Sequence, residues 1–189
     1  MHNKICEYFS NSIEVKSDFR DFETESVYQV IQTIIECYNK GGKILIFGNG
    51  GSASDAQHFA CELEGRFLFD RKPLQALCLN TNTSTLTAVG NDYGYEDVFS
   101  RQIIAYGKNN DIAIGISTSG NSKNVINAIQ AAHENGLTTV ALLGKDGGKL
   151  KKMVDHYILV ESNDTPHVQE THITIIHCIC KLVEEALFV

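Results

Sequence analysis

The sequence lacks the features that mark several classes of protein. It contains no tryptophan and only two prolines, and no stretch has low complexity or repeats at a fixed period, which argues against linker-rich and solenoid architectures. No run approaches the ~20 apolar residues of a membrane span. The first residues, MHNKICEYFSNS, show no basic flank followed by an apolar core, so we expect a cytoplasmic protein.

Acidic residues outnumber basic ones, with 23 Asp and Glu against 16 Lys and Arg. The formal net charge is therefore -7 and the isoelectric point is near 5.4. This balance argues against a broad electropositive surface, so we expect neither a nucleic-acid nor a membrane partner. A phosphorylated ligand would have to be bound by local groups. The six cysteines lack CxxC spacing, and we interpret them as reduced, mostly buried thiols.

The 189 residues are enough for one well-filled α/β core but are few for two independent domains. Strand and helix patterns alternate along the chain, and the predicted strands cover residues 43–47, 74–79, 111–117, 137–143 and 157–160. We therefore predict a single domain over residues 1–189. It comprises N-terminal helices over 1–40, a sheet core over 41–164 and one long C-terminal helix over 165–189. The predicted core is a doubly wound parallel sheet of about five strands, flanked by helices.

A glycine-rich loop follows the first predicted strand, where ligands bind in open parallel sheets. Gly48, Gly50 and Ala53 satisfy the GxGxxA pattern of dinucleotide sites. The next strand, however, ends in Asn80 and Thr81 rather than in the acidic residue that holds a ribose. The loop also lacks the Gly-Lys-Ser/Thr ending of a P-loop, so no nucleotide cofactor is expected. A tight turn with a purely structural role is the alternative.

A second loop, STSGNS over residues 117–122, places four hydroxyls around one glycine before a predicted helix. Free N–H groups and the positive end of a helix dipole bind phosphate without any Lys or Arg. Simple helix capping would account for one hydroxyl but not for four. We therefore predict that this loop binds a phosphate group.

Four segments in order, GNGGSASDAQHF, GNDYG, GISTSGNS and VQETHITIIH, resemble the phosphoheptose isomerases of the sugar isomerase (SIS) domain family. The resemblance spans about Gly41 to the C-terminus and implies a flavodoxin-like SIS fold. It implies an aldose-ketose isomerase that converts sedoheptulose 7-phosphate to D-glycero-D-manno-heptose 7-phosphate through an enediol. This reaction is the first step in making nucleotide-activated heptose for lipopolysaccharide, capsule or another glycan. The family is typically homotetrameric, with active sites between subunits.

The resemblance also implies which residues contact the substrate, with the serine-rich loop holding the phosphate. The implied contacts are Asn49, Gly50, Gly51, Ser52, Glu62, Asn91, Asp92, Ser117, Thr118, Ser119, Ser122 and Gln169.

Two residues are candidates for the acid and base that an isomerase needs. Glu62 lies four residues after His58 on the predicted helix, so both project from one face, although a helical glutamate alone is more often solvated. His177 lies in the apolar stretch ITIIHCIC, where a lone histidine is commonly a core residue, yet imidazole is a side chain suited to proton transfer near neutral pH. By the resemblance, Glu62 and His177 are the catalytic pair.

In some members of the family, zinc is held at the positions of His58, Glu62, Gln169 and His177. Two imidazoles, a carboxylate and an amide oxygen are plausible ligands, so one zinc per subunit is a candidate cofactor. Full ligation of Glu62 and His177 would compete with their acid-base roles.

Other residues in the C-terminal segment are set apart from the site. His172 lies about 140° around a helix from His177, so both cannot easily face one site. Two positions before Gln169, the family commonly has an arginine, and this chain has His167. By the resemblance, this chain lacks a guanidinium contact to the substrate or to a neighbouring subunit.

Two other functions use the same fold. One is a non-catalytic SIS-domain binding module of the replication-initiator-associated type, which lacks the residues corresponding to Glu62 and His177. The other is a sugar-phosphate-sensing or amino-sugar-processing domain. The presence of both acid-base residues favours the enzyme.

Overall fold

The computed structural model describes all 189 residues as seven α-helices and five β-strands. The strands are β1 (Ile44–Gly48), β2 (Ala76–Cys78), β3 (Ile112–Ser117), β4 (Thr138–Gly144) and β5 (His156–Val160). The helices are α1 (His2–Phe22), α2 (Thr24–Asn39), α3 (Gly51–Glu64), α4 (Thr83–Asp92), α5 (Ser100–Tyr106), α6 (Lys123–Glu134) and α7 (Thr165–Phe188). No helix is both long and apolar enough to cross a membrane.

The sheet is fully parallel, with the strand order β2-β1-β3-β4-β5. This is the flavodoxin-like doubly wound order, in which the direction of the crossovers reverses between β1 and β3. In that pair, Gly48 at the end of β1 is in register with Ile116 near the end of β3. The glycine-rich and serine-rich loops therefore leave the sheet side by side, and the predicted fold class is confirmed.

Each face of the sheet is covered by its own layer of helices. Alternate residues of a strand point to opposite faces, so Ile44 and Ile46 pack with α2, α3 and α7, whereas Leu45 and Phe47 pack with α5 and α6. Because both faces are covered, the strands read as continuous apolar runs rather than as alternating ones.

Most predicted elements agree with the structure to within a few residues. The predicted helix over 54–63 begins three residues earlier, at Gly51, because Gly50 adopts a φ of 57° and turns the chain directly from the loop into α3. Helices α4 and α5 had no clear periodic signal. The segment of α4 is rich in threonine, a weak helix former, but the Asn82 side chain accepts a hydrogen bond from the Thr85 amide and caps the helix.

His172 joins α7 to the sheet. Its ring is fully buried, and Nε2 donates to the carbonyl oxygen of Leu143 in β4 over 3.0 Å. Burial lowers the pKa of His172 to about 4, partly opposed by this hydrogen bond. The structure thus separates His172 from His177, as the helical period indicates.

We predict that His172 makes stability fall as the pH drops from 6.5 to 4. In that range the unfolded chain binds a proton that the folded chain excludes, so the free energy of unfolding rises with pH and changes by up to about 3 kcal/mol. His172→Gln keeps an N–H donor and should flatten this part of the curve. The measurement is urea unfolding at several pH values and fixed protein concentration, with exposed His2→Gln as the control. Equal pH slopes for wild type and His172→Gln would contradict the prediction.

Candidate active site

Asn49 connects the two loops at the reversal point of the sheet. Its side-chain amide forms two reciprocal hydrogen bonds with that of Asn124, over 2.8 and 2.9 Å, in the first turn of α6. The Tyr95 hydroxyl also donates to Asn49 Oδ1 over 3.3 Å. The family resemblance implied a role for Asn49, but Asn124 and Tyr95 were not predicted, because pairing between distant side chains leaves no local pattern.

The serine-rich loop presents hydroxyl groups at the start of α6. Ser122 occupies the N-cap position, but its hydroxyl lies 3.1 Å from that of Ser117 and makes no capping hydrogen bond. The Ser119 hydroxyl accepts a hydrogen bond from the Asn121 amide over 3.2 Å. Simple helix capping therefore does not explain these hydroxyls, which lie beside a helix N-terminus that favours an anion.

The loop after β4 packs against the serine-rich loop. Gly120 has a φ of 63°, and a Cβ atom there would lie 1.9 Å from the Gly147 carbonyl oxygen, so only glycine fits. The Asn121 side chain donates to the Ser119 carbonyl over 2.8 Å and accepts from the Lys149 amide over 3.2 Å. These contacts fix the shape of the serine-rich loop without using charge.

His58, Glu62 and His177 form a polar cluster where α3 packs against α7. His58 Nε2 lies 2.9 Å from Glu62 Oε1 and 3.4 Å from His177 Nε2. One possible ligand atom from each residue lies within 4.8 Å of the other two, a spacing that can accommodate a metal ion. His58 is exposed, whereas Glu62 and His177 are half-buried, so the cluster opens to the surface.

Gln169 lies further towards the start of α3. A Cβ atom on Gly51 would lie 2.5 Å from Gln169 Nε2, so the absence of a side chain at Gly51 leaves room for the amide. Gly51 precedes His58 by about two helical turns. The contact between α3 and α7 therefore has Gln169 at the end next to the glycine-rich loop. The cluster of His58, Glu62 and His177 lies about two turns further along α3.

Asp55 is a residue of this region that sequence reasoning missed. It lies one turn before His58 on α3, and its Oδ2 atom is buried without a hydrogen-bond partner. Burial raises the pKa of Asp55 to about 6, partly opposed by His58. Asp55, His58 and Glu62 have the i, i+3, i+7 spacing of one helix face, and this spacing is the sequence pattern that could have identified Asp55.

Asn91 and Asp92 lie apart from these groups within one chain. They are the last two residues of α4, both are exposed, and Asn91 Nδ2 donates to Asp92 Oδ1 over 2.8 Å. Ser52 is buried in the first turn of α3, and Thr118 is half-buried after β3.

His167 contacts groups of its own chain. The ring is buried, with Nδ1 3.4 Å from Glu170 Oε2 and its centroid 4.6 Å from that of Tyr8 in α1. Tyr8 also donates to Glu170, as does Ser12, and the Ser12 hydrogen bond is the main reason that the pKa of Glu170 falls to about 2. His167 thus belongs to the contact between α1 and α7.

Several known proteins are similar to this chain over nearly its whole length. A family model described as "SIS domain" matches residues 7–144. The phosphoheptose isomerase of Citrifermentans bemidjiense is 50% identical over 176 residues, which cover 93% of this chain and 92% of the relative. That of Sulfurimonas denitrificans is 48% identical over 190 residues, covering 100% of this chain and 97% of the relative. The structure of phosphoheptose isomerase GmhA from Neisseria gonorrhoeae matches with a TM-score of 0.93 and 43% identity, covering 97% of this chain and 98% of that one.

We predict that Gly51→Ala displaces the Gln169 amide with little loss of stability, because the colliding atoms end a flexible side chain. If Gln169 serves the site, Gly51→Ala and Gln169→Ala should weaken ligand binding to similar extents, and the double variant should be little worse than either. Calorimetric titration of all three variants with sugar phosphate measures this. Additive losses would show that the two positions act independently.

Proposed function

The chain belongs to the SIS domain family and, within it, to the phosphoheptose isomerases, and on that premise we propose that it interconverts sedoheptulose 7-phosphate and D-glycero-D-manno-heptose 7-phosphate. The observation that carries the proposal is the cluster of Glu62, His58 and His177, which lies on α3, the helix that follows the glycine-rich loop, and on α7, which packs against it. A binding module of the same fold has no need of this pair. The enzyme is therefore favoured over the non-catalytic alternative.

The proposed mechanism is proton transfer through an enediol. Glu62 removes the proton from the carbon next to the carbonyl and returns it to the adjacent carbon. His177 moves a proton between the two oxygens, so that the aldehyde of one sugar becomes the hydroxyl of the other. His58 orients the carboxylate of Glu62 through the hydrogen bond of 2.9 Å.

The phosphate is proposed to bind at the serine-rich loop, to Ser117, Thr118, Ser119 and Ser122. Backbone N–H groups and hydroxyls suffice there, in keeping with the net charge of -7. We propose that the sugar extends from this loop along α3 past Asn49, Gly50, Gly51, Ser52 and Gln169, with Asn91 and Asp92 as further contacts. The cytoplasmic location and the heptose pathway that is served stay predictions.

Zinc is proposed as a cofactor of the His58, Glu62 and His177 cluster. Two imidazoles and a carboxylate suit this ion, and their ligand atoms are close enough together. Gln169, whose amide lies next to Gly51, would be the fourth ligand. When bound, the ion would supply Lewis-acid polarisation of the carbonyl.

A homotetramer with active sites between subunits is also proposed. Exposed apolar side chains line α1, at Ile5, Tyr8, Phe9 and Ile13, and a further apolar hollow of about 380 Å³ lies between α1, α2 and α7. Such surfaces mark association sites. Association of subunits would cover these apolar surfaces and bring exposed residues such as Asn91 and Asp92 close to a neighbouring chain.

We predict that Glu62→Gln lowers kcat by about 10²-fold to 10⁴-fold, because the amide cannot accept the carbon-bound proton. Substrate affinity should stay near that of the wild type, since the amide keeps the shape of the carboxylate. The measurements are turnover of sedoheptulose 7-phosphate and incorporation of deuterium from D₂O. The solution mass of the same protein tests the proposed homotetramer and should be that of four chains. Glu64→Gln, at an exposed glutamate two residues on, is the matched control. Normal turnover by Glu62→Gln would remove it from the mechanism.

We predict that protein purified without chelator carries about one zinc per subunit, as expected for the proposed four-ligand site. His58→Ala should lower this content while leaving the thermal unfolding temperature almost unchanged, because the apolar core does not include the cluster. Elemental analysis measures the metal, and exposed His2→Ala is the control. Metal-free protein with full activity would show that Glu62 and His177 act as free acid and base.

A further inference from the structure

A buried ion pair joins α7 to the segment that follows α3. The side chains of Arg71 and Glu184 are only 2% and 1% exposed, and Arg71 Nε donates to Glu184 Oε1 over 2.9 Å. Burial alone would raise the pKa of Glu184, but hydrogen bonds from the Leu68 and Phe67 amides and from Arg71 outweigh it and hold the pKa below its usual range. The pair is therefore ionised, with its hydrogen bonds satisfied.

Arg71 holds the end of the helix that carries Glu62. Its guanidinium donates to the carbonyl oxygens of Glu62, Leu63 and Gly65, over 2.8, 2.7 and 3.2 Å. The last carbonyls of a helix have no partner within the helix, so this side chain acts as a cap on the final turn of α3.

Glu184 makes the corresponding connection to His177. It lies seven residues after His177, which places both side chains within about 20° on one side of α7. Its carboxylate accepts from the amides of Phe67 and Leu68, over 3.2 and 2.8 Å. The Phe67 ring then packs on His177, with the two ring centroids 5.7 Å apart.

We propose that Arg71 and Glu184 are positioning residues that set the spacing between Glu62 and His177. The pair fixes both helices directly beyond the cluster and holds Phe67 against the imidazole, while touching no reacting atom. This inference rests on the proposed isomerase function. A shift of about 1 Å in such a site can cost two orders of magnitude in rate, so the arrangement matters for turnover.

The test separates positioning from stability by using a second buried pair as a control. Asp111 pairs with Lys43 and accepts from the Lys43 and Lys108 amides at the amino ends of β1 and β3, the opposite end of the sheet from the loops. Arg71→Lys, Glu184→Gln and Asp111→Asn should all lower the unfolding temperature. Only the first two should lower kcat of the folded protein, by about tenfold or more, with KM within about twofold.

Two further measurements complete the test. Phe67→Leu should reproduce part of the loss in kcat, because it removes the ring that packs on His177. A crystal structure of Glu184→Gln should show the Phe67 ring displaced from His177 and a changed His58 Nε2 to His177 Nε2 distance. Unchanged kcat in folded Arg71→Lys and Glu184→Gln, or an equal fall in Asp111→Asn, would overturn the proposal. If the wild type has no isomerase activity, the proposed function fails, and the crystal structure alone decides whether the pair sets the geometry.

Discussion

The packing of α7 along α3 is the contact on which the rest of the site depends. Glu62 and His177 lie far apart in the sequence, on α3 and α7, and only the packing of these two helices brings them into one cluster. The glycine at position 51 leaves room for Gln169 at one end of the contact, and the Arg71–Glu184 pair closes the other. Between these ends, α3 and α7 contribute His58, Glu62 and His177 to one cluster.

The sheet supplies the second constraint, because reversal of the crossovers between β1 and β3 brings two loops together. One loop leads into α3 and the cluster of His58, Glu62 and His177, and the other is the hydroxyl-rich turn that leads into α6. The reciprocal amide pair of Asn49 and Asn124 fixes the starts of these two helices relative to each other. A sugar phosphate bound at the start of α6, as proposed, would therefore lie next to the start of α3.

Much of this arrangement follows from local sequence patterns. The alternation of strands and helices, the two polar loops and the separation of His172 from His177 were all predicted from residue spacing and composition. Contacts between distant side chains leave no such signal, so the partners of Asn49 and the Arg71–Glu184 pair became visible only in the structure. Helix α4, which ends at Asp92, was not predicted because its sequence is rich in threonine, a weak helix former. The cap that Asn82 provides became visible only in the structure.

The tautomers of the histidines connect the acid-base and metal proposals. If His58 carries its proton on Nε2 and donates it to Glu62, the same nitrogen has no lone pair left for His177, so His177 Nε2 would face it with a lone pair over 3.4 Å. His177 would then carry its proton on Nδ1 and would have to turn its ring to act through Nε2. The proposed zinc would instead be held by His58, Glu62 and His177, and an imidazole that offered its Nε2 lone pair to the ion would carry its proton on Nδ1. Since Phe67 packs on the His177 ring, the freedom of that ring to turn depends on the same segment that Arg71 and Glu184 hold in place.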